Sequence, residues 1–305
     1  MQKNPPGLAD YALLIALALL WGSAFLLSKV AVAEVSPITV TLIRQFIALV
    51  ALGAIAAVSG RWFRPSARDH GFMIICAITG TAVPYTLINW GVMVIDSGLA
   101  AILMGFTPLV VLLLAHLVTQ DEKLTMPKLA GVALGICGLA ILFWPQLASG
   151  FGHDLIRQVA ILGAAFAYGV NALSTKKLVG HPPMALMAYI TGWTMVFLVP
   201  AAFLFEDPLA IDPSLPVGIA ILTLGLLPSA AGALVMVAII RRQGATFFGL
   251  INLLIPIAGV VLAVIFLGER PGLNALAALA VIICGLMVAR IKPSARNSLA
   301  QESHP

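Results

Sequence analysis

Apolar residues in this chain come in long unbroken runs rather than in alternation. Ten such runs lie near 9–29, 37–58, 71–91, 95–118, 127–144, 156–176, 184–205, 216–240, 245–267 and 272–290. About 20 apolar residues make a helix long enough to cross the hydrocarbon core of a bilayer. The ten-residue alternating segments of a membrane β-barrel are not seen. The pattern predicts an all-α integral membrane protein of ten transmembrane helices. Runs three and four nearly touch, with Asp96, Ser97 and Gly98 between them, and the longest connection extends from Ser59 to His70. No connection is large enough for a soluble domain, and no GxxxxGK[ST] segment offers an ATP site.

Composition supports this reading. Of 305 residues, 61% are hydrophobic and 10% charged, with a mean hydropathy of +1.07. A soluble domain carries about 25% charged residues, so too few remain here to cover a water-facing surface. A cytosolic enzyme, a disordered chain and a disulfide-stapled module are excluded. Cys76, Cys137 and Cys284 lie inside apolar runs without CxxC or CxxH spacing. They predict neither a disulfide framework nor a metal site. Lys3, the run from Tyr11, and Ala31-Val32-Ala33 before Glu34 imitate a cleavable leader. The run is longer than a leader's apolar core and has an internal copy, so a retained first span is expected.

Charge sets the expected orientation. With a cytoplasmic N-terminus, the inside segments hold Lys3, Arg61, Arg64, Arg68, Lys123, Lys128, Lys176, Lys177, Arg241, Arg242, Arg290, Lys292 and Arg296, 13 of the 17 basic residues. The outside segments hold Lys29, Arg157 and Arg270, and are otherwise acidic: Glu34, Asp96, Asp154, Glu206, Asp207, Asp212 and Glu269. This is the positive-inside asymmetry of an inner-membrane protein with both termini cytoplasmic. The net charge of +5 then reflects topology, and nucleic acid is not an expected partner.

The chain also repeats itself. Trp21-Gly22-Ser23 through Lys29 matches Tyr168-Gly169-Val170 through Lys176 at an offset of 147. Glu122 and Glu269 share that offset, as do Cys137-Gly138-Leu139 and Cys284-Gly285-Leu286, while Pro108 and Pro256 are offset by 148. The expected organisation is a cytoplasmic segment 1–8, a five-helix repeat 9–144, a connecting loop 145–155, a second five-helix repeat 156–290, and a cytoplasmic tail 291–305. Five spans is an odd number, so the second copy must enter the membrane inverted. Two inverted halves can close either side of a shared central cavity, which is the geometry of alternating access.

These features resemble the EamA-type members of the drug/metabolite transporter superfamily. The resemblance rests on the ten spans, the paired repeats, Trp21-Gly22-Ser23 through Lys29, Arg44 in the second span, Pro108 followed by Glu122, and Pro256 followed by Gly268-Glu269. It covers about residues 10–290. Gln120-Asp121-Glu122 departs from the Gly-Glu usual in the family. Among such families the chain is most similar to the bacterial aromatic amino-acid exporters. That likeness implies export of small neutral or aromatic amino acids; the alternative is another small metabolite or drug-like compound such as a nucleoside, a sugar derivative or a drug.

Polar groups inside the spans are the candidates for substrate contact. Arg44 sits within the second span, where a charge costs about 2.5–3.5 kcal/mol on the insertion scale. It either binds a substrate carboxylate or ties helices together near the outer end. Tyr85 and Asn89 share one helix face, with Pro84 freeing a backbone carbonyl and Trp90 adjacent. They read as cavity lining, or as a belt aromatic with an interhelical amide. Tyr168 and Asn171 in span six match the place of Trp21 and Ser23 in span one. Tyr189 with Trp193, and Asn252 with Pro256, are further pairs four apart. Each pair alone could be packing between helices; several in repeat-related helices point to a common cavity. Glu122 and Glu269, at span ends, read as helix-terminal anchors. Gly131-x-x-x-Gly135 and Gly225 read as sites of close helix approach.

No HExxH, GxSxG or paired intramembrane aspartates appear, so an enzyme is not expected, nor is a cofactor. No acid lies well inside a span and His116 is the one intramembrane histidine, which suits facilitated efflux or exchange better than strong proton coupling. The expected partners are a small-molecule substrate and membrane lipid, with the protein a monomer.

Overall fold

A chain crossing a bilayer must satisfy its backbone hydrogen bonds internally, and a continuous apolar run does so as a helix. The computed structural model describes residues 5–118, 125–149 and 153–291. Among the described residues there is no strand, and ten helices occupy the ten predicted places: α1 Leu8–Ala31, α2 Pro37–Ser59, α3 Ala67–Val92, α4 Ser97–Val118, α5 Met126–Ser149, α6 His153–Thr175, α7 Pro183–Phe205, α8 Leu215–Gln243, α9 from Ala245–Phe248 and Ile251–Leu267, and α10 Leu273–Ala289. Lys3, Gln120-Asp121-Glu122, Lys123, Lys292 and Arg296 lie outside the described residues.

Most differences from expectation lie at helix ends. α3 begins at Ala67 rather than near 71, because Ser66 caps it: the Asp69 amide donates to Ser66 Oγ at 3.2 Å and the Ser66 amide to Asp69 Oδ2 at 2.8 Å. α5 continues to Ser149 and α6 starts at His153, so most of 145–155 is helical. Hydropathy marks the hydrocarbon core, whereas a helix runs on until something stops it. Within the spans, α4 is interrupted at Gly105-Phe106 and α9 at Gly249-Leu250.

Packing shows the symmetry. Helices five apart in order lie against each other: α2 on α7, α4 on α9, α5 on α10. α1 packs on α8 and α9, while its copy α6 packs on α3 and α4. Gly22 of α1 meets Ala258 and Gly259 of α9, and its copy Gly169 of α6 meets Val110 and Leu114 of α4. At the α5–α10 crossing Gly285 rests on the Gly131 carbonyl and Gly138 on the Ala278 carbonyl. The offset of 147 exchanges these two contacts. A two-fold axis between the copies gives this exchange, and with five spans in each copy the two halves are inverted.

One end of the bundle collects the acidic connections and the other the basic ones. At the acidic end, glutamates of one half cap helices of the other. Glu269 follows Gly268, whose φ of 65° ends α9. It accepts the Ser97 amide and hydroxyl at 2.8 and 2.7 Å and the Gly98 amide at 2.9 Å. Glu206 accepts the Ile38 and Thr39 amides and the Thr39 hydroxyl at 2.8–3.0 Å. Glu34 accepts the Ser214 amide and hydroxyl, both at 2.7 Å, and those bonds hold its carboxyl below the ordinary range. Each carboxylate satisfies orphan amides and the positive end of a helix dipole. Losing a cap costs about 0.5–2 kcal/mol. Glu269→Ala should therefore lower the thermal midpoint in detergent, with Glu269→Gln in between. An unchanged midpoint would show that this contact carries no stability.

Candidate functional site

The middle of the bundle is built on two π-helical turns, Ile78–Ala82 in α3 and Gly225–Ala231 in α8. Their first residues are separated by the repeat offset of 147. A π turn shifts the backbone register, leaves carbonyls for other partners and often marks a functional site.

At the turn in α8, Trp21 Nε1 donates to the Pro228 carbonyl at 3.1 Å. The Trp21 ring stands edge-on to Phe248, with centroids 6.0 Å apart. Ser229 Oγ donates to the Leu224 carbonyl at 2.9 Å and accepts Arg44 Nε at 2.8 Å. Arg44 is 5% exposed, and its guanidinium carbon lies 3.8 Å above the centre of the Tyr85 ring. Tyr85 in turn meets Tyr168 edge-on, with centroids 6.4 Å apart. A Cβ on Gly225 would stand 3.0 Å from the Arg44 carbonyl oxygen, so α2 and α8 touch at the arginine. At the turn in α3, the Asn171 carboxamide lies on bare Gly80, where a Cβ would come within 2.6 Å of Oδ1.

Arg44, Tyr85 and Tyr168 are thus brought together, on helices from both halves, with Trp21 at the turn in α8 and Asn171 at the turn in α3. Arg44 lies about 10 Å along α2 at 1.5 Å per residue. Among the described residues no carboxylate lies within ion-pair distance of it, and no protein group accepts from its Nη atoms. A guanidinium in an apolar interior, lying over an aromatic ring and with two amino groups unbonded, can take a carboxylate through paired hydrogen bonds.

The other candidates stand elsewhere. Asn89 is buried and donates to Thr41 Oγ1 at 2.9 Å and the Pro37 carbonyl at 3.3 Å, tying α3 to the first turn of α2. Trp90 carries Arg157, whose guanidinium carbon is 3.8 Å from the ring centre and whose Nη1 donates to the Trp90 carbonyl at 2.6 Å. Tyr189 and Trp193 belong to an aromatic cluster at the basic end. Tyr189 Oη donates to the Phe63 carbonyl at 3.0 Å and Trp193 Nε1 to His70 Nδ1 at 3.1 Å. Ser23 donates back to the Leu20 carbonyl at 2.8 Å, and Asn252 to the Gly249 carbonyl at 3.2 Å. A cavity of about 180 Å³ at the acidic end, among Asp96, Leu142, Glu269 and Asn274, is lined by none of the candidates. There burial and Glu269 push the Asp96 carboxyl up against the pull of Lys29.

Sequence reasoning missed Ser229 and Pro228. A signal existed: Pro228 in the eighth run stands at the repeat position of Thr81, three residues before Pro84 in the third. Both halves therefore carry a helix-disturbing proline in the same zone.

The description "EamA-like transporter family" matches residues 9–144 and 156–291. The chain belongs to that family. This EamA-like transporter is 31% identical over 269 residues to a "Probable terminal-alkyne amino-acid exporter" of Streptantibioticus cattleyicolor, covering 88% of this chain and 89% of that one. It is 24% identical to a "Probable amino-acid metabolite efflux pump" of Escherichia coli K12, with 92% and 94% covered. A solved crystal structure matches with a TM-score of 0.66 at 18% identity, over 92% of this chain and 97% of that one; this likeness speaks for the fold. An EamA-like transporter is a multi-pass membrane protein that moves a small molecule and is not an enzyme.

Proposed function

We propose that this transporter exports small neutral or aromatic amino acids by alternating access through the site between its repeats. It does so in the inner membrane with both termini cytoplasmic and without ATP. Arg44 carries the reading. A buried cation without an acidic partner is expensive in a membrane, and its usual meaning is a ligand contact. Tyr85 lies against it and Tyr168 stands edge-on to Tyr85, while Trp21 and Asn171 border the two π-helical turns, a set of rings and one amide suited to an apolar or aromatic side chain. The aromatic faces also suit a substrate ammonium. Relatives named for amino-acid export support the same substrate class.

Purified protein in liposomes should show saturable counterflow of radiolabelled phenylalanine or leucine. Counterflow of a nucleoside but of no amino acid would overturn the substrate. Single cysteines placed in 59–66 and 207–214, in a chain lacking Cys76, Cys137 and Cys284, should label from opposite sides of the membrane. Labelling of both from one side would overturn the orientation.

A further inference from the structure

We propose that Ser229, at the π-helical turn of α8, aims Arg44 and thereby makes the site selective for solutes bearing a carboxylate; the inference rests on the amino-acid reading above. A serine hydroxyl has one proton to donate and two lone pairs to accept with. The proton goes to the Leu224 carbonyl, five residues back, which is the π register of this turn. The lone pairs are then left for α2, and one accepts Arg44 Nε at 2.8 Å. Gly225, set against Ile47 and the Arg44 carbonyl, holds the two backbones at this spacing.

Fixing Nε fixes the whole guanidinium, because the group is planar and its N–H bonds form a rigid fork. The guanidinium carbon lies 3.8 Å over the centre of the Tyr85 ring, so the ring covers that side of the group. What remains is the in-plane edge carrying Nη1 and Nη2, which no described group accepts from. That edge matches the two oxygens of a carboxylate. The arrangement occurs once: the repeat offset places Thr191 opposite Arg44 and Ala82 opposite Ser229. A two-fold scaffold thus holds a one-sided site, which orients its solute. Ser229 acts through Arg44 and is a positioning residue. Without its hydroxyl the fork can rotate about the ring, and the preference for a carboxylate should fade.

The test is competition counterflow with full-length protein in liposomes, comparing phenylalanine with phenylalanine amide. Wild type should prefer the acid by about tenfold or more, as for a site built around paired charge-assisted bonds. Ser229→Ala should bring the two probes to within about threefold of each other, because the bidentate geometry is lost. It should act by raising the half-saturation concentration of the acid while leaving that of the amide and the maximum rates near wild type. Ser229→Thr, which keeps the hydroxyl, should keep the preference. A wild-type preference in Ser229→Ala would overturn the proposal. So would an equal loss for both probes with a lowered thermal midpoint, which marks a packing role. Wild type carrying acid and amide alike would overturn the carboxylate anchor but leave an amino-acid carrier. Wild type carrying neither would overturn the amino-acid reading with it.

Discussion

Gly285→Val should leave almost no correctly assembled protein. At the α5–α10 crossing the backbones meet without side chains between them. A Cβ on Gly285 would sit 2.7 Å from the Gly131 carbonyl oxygen, and one on Gly131 would sit 2.5 Å from the Gly285 carbonyl oxygen. Both obstacles are backbone, so no rotamer change relieves them. In lipid, apolar surface gives no net drive to hold helices together, and close packing of small residues does that work instead. Overpacking typically costs about 1–3 kcal/mol, and here the helices must also separate along the seam that joins the two halves. Fluorescence size-exclusion in mild detergent should show less than roughly a tenth of the wild-type monodisperse peak, since a loss of about 1.4 kcal/mol already shifts an equilibrium tenfold. Gly53→Val is the control, because nothing lies within 4 Å of a Cβ there; it should run as wild type. A normal peak for Gly285→Val would mean that this seam does not hold the halves together.

The same seam explains how much of the molecule could be read beforehand. Hydropathy runs and an offset of 147 are long-range regularities, and they survive as ten helices and two inverted halves because every span obeys the same solvent constraint. Gly131 and Gly225 were readable as close approaches for the same reason: a small residue in a bilayer helix has little other use. The site was only partly readable. Arg44, Tyr85 and Tyr168 stand out as polar or aromatic in apolar runs and do come together. Tyr189 and Trp193 stand out equally well, yet the 59–66 connection folds over them and supplies Phe63 beside His70 of α3. Spacing along one helix fixes a face but not which neighbour covers it. Asn89 shares a face with Tyr85, but one turn nearer the acidic end that face meets Thr41 rather than the centre. Ser229 was missed because its role depends on a change of helical register that no apolar count records; only the proline before it hints at one. Glu269 was likewise placed at a helix end, while its partner in the opposite half follows only from the two-fold packing.

Arg44→Met should all but abolish transport of carboxylate-bearing solutes while leaving the fold as stable as before, or more so. The two effects separate the readings of this residue. As a structural tie, Arg44 makes one bond to Ser229 and one ring contact. Neither neutralises its charge, which costs about 2.5–3.5 kcal/mol on the insertion scale. Methionine of similar length fills the space without that cost, and replacing buried ionic groups by apolar ones of like volume is often neutral or stabilising. As a ligand, Arg44 offers two charge-assisted bonds at about 1.5–3 kcal/mol each. Their loss should lower kcat/KM for an amino acid by roughly 100-fold or more, taking about 3 kcal/mol at 1.36 kcal/mol per tenfold. Arg44→Lys keeps the charge but not the fork, and should fall between. Counterflow rates and thermal midpoints of the purified variants decide it. A lowered midpoint with transport reduced only in proportion to folded protein would make Arg44 a strut. A raised midpoint with transport lost would show a residue kept, at a cost in stability, for what it binds.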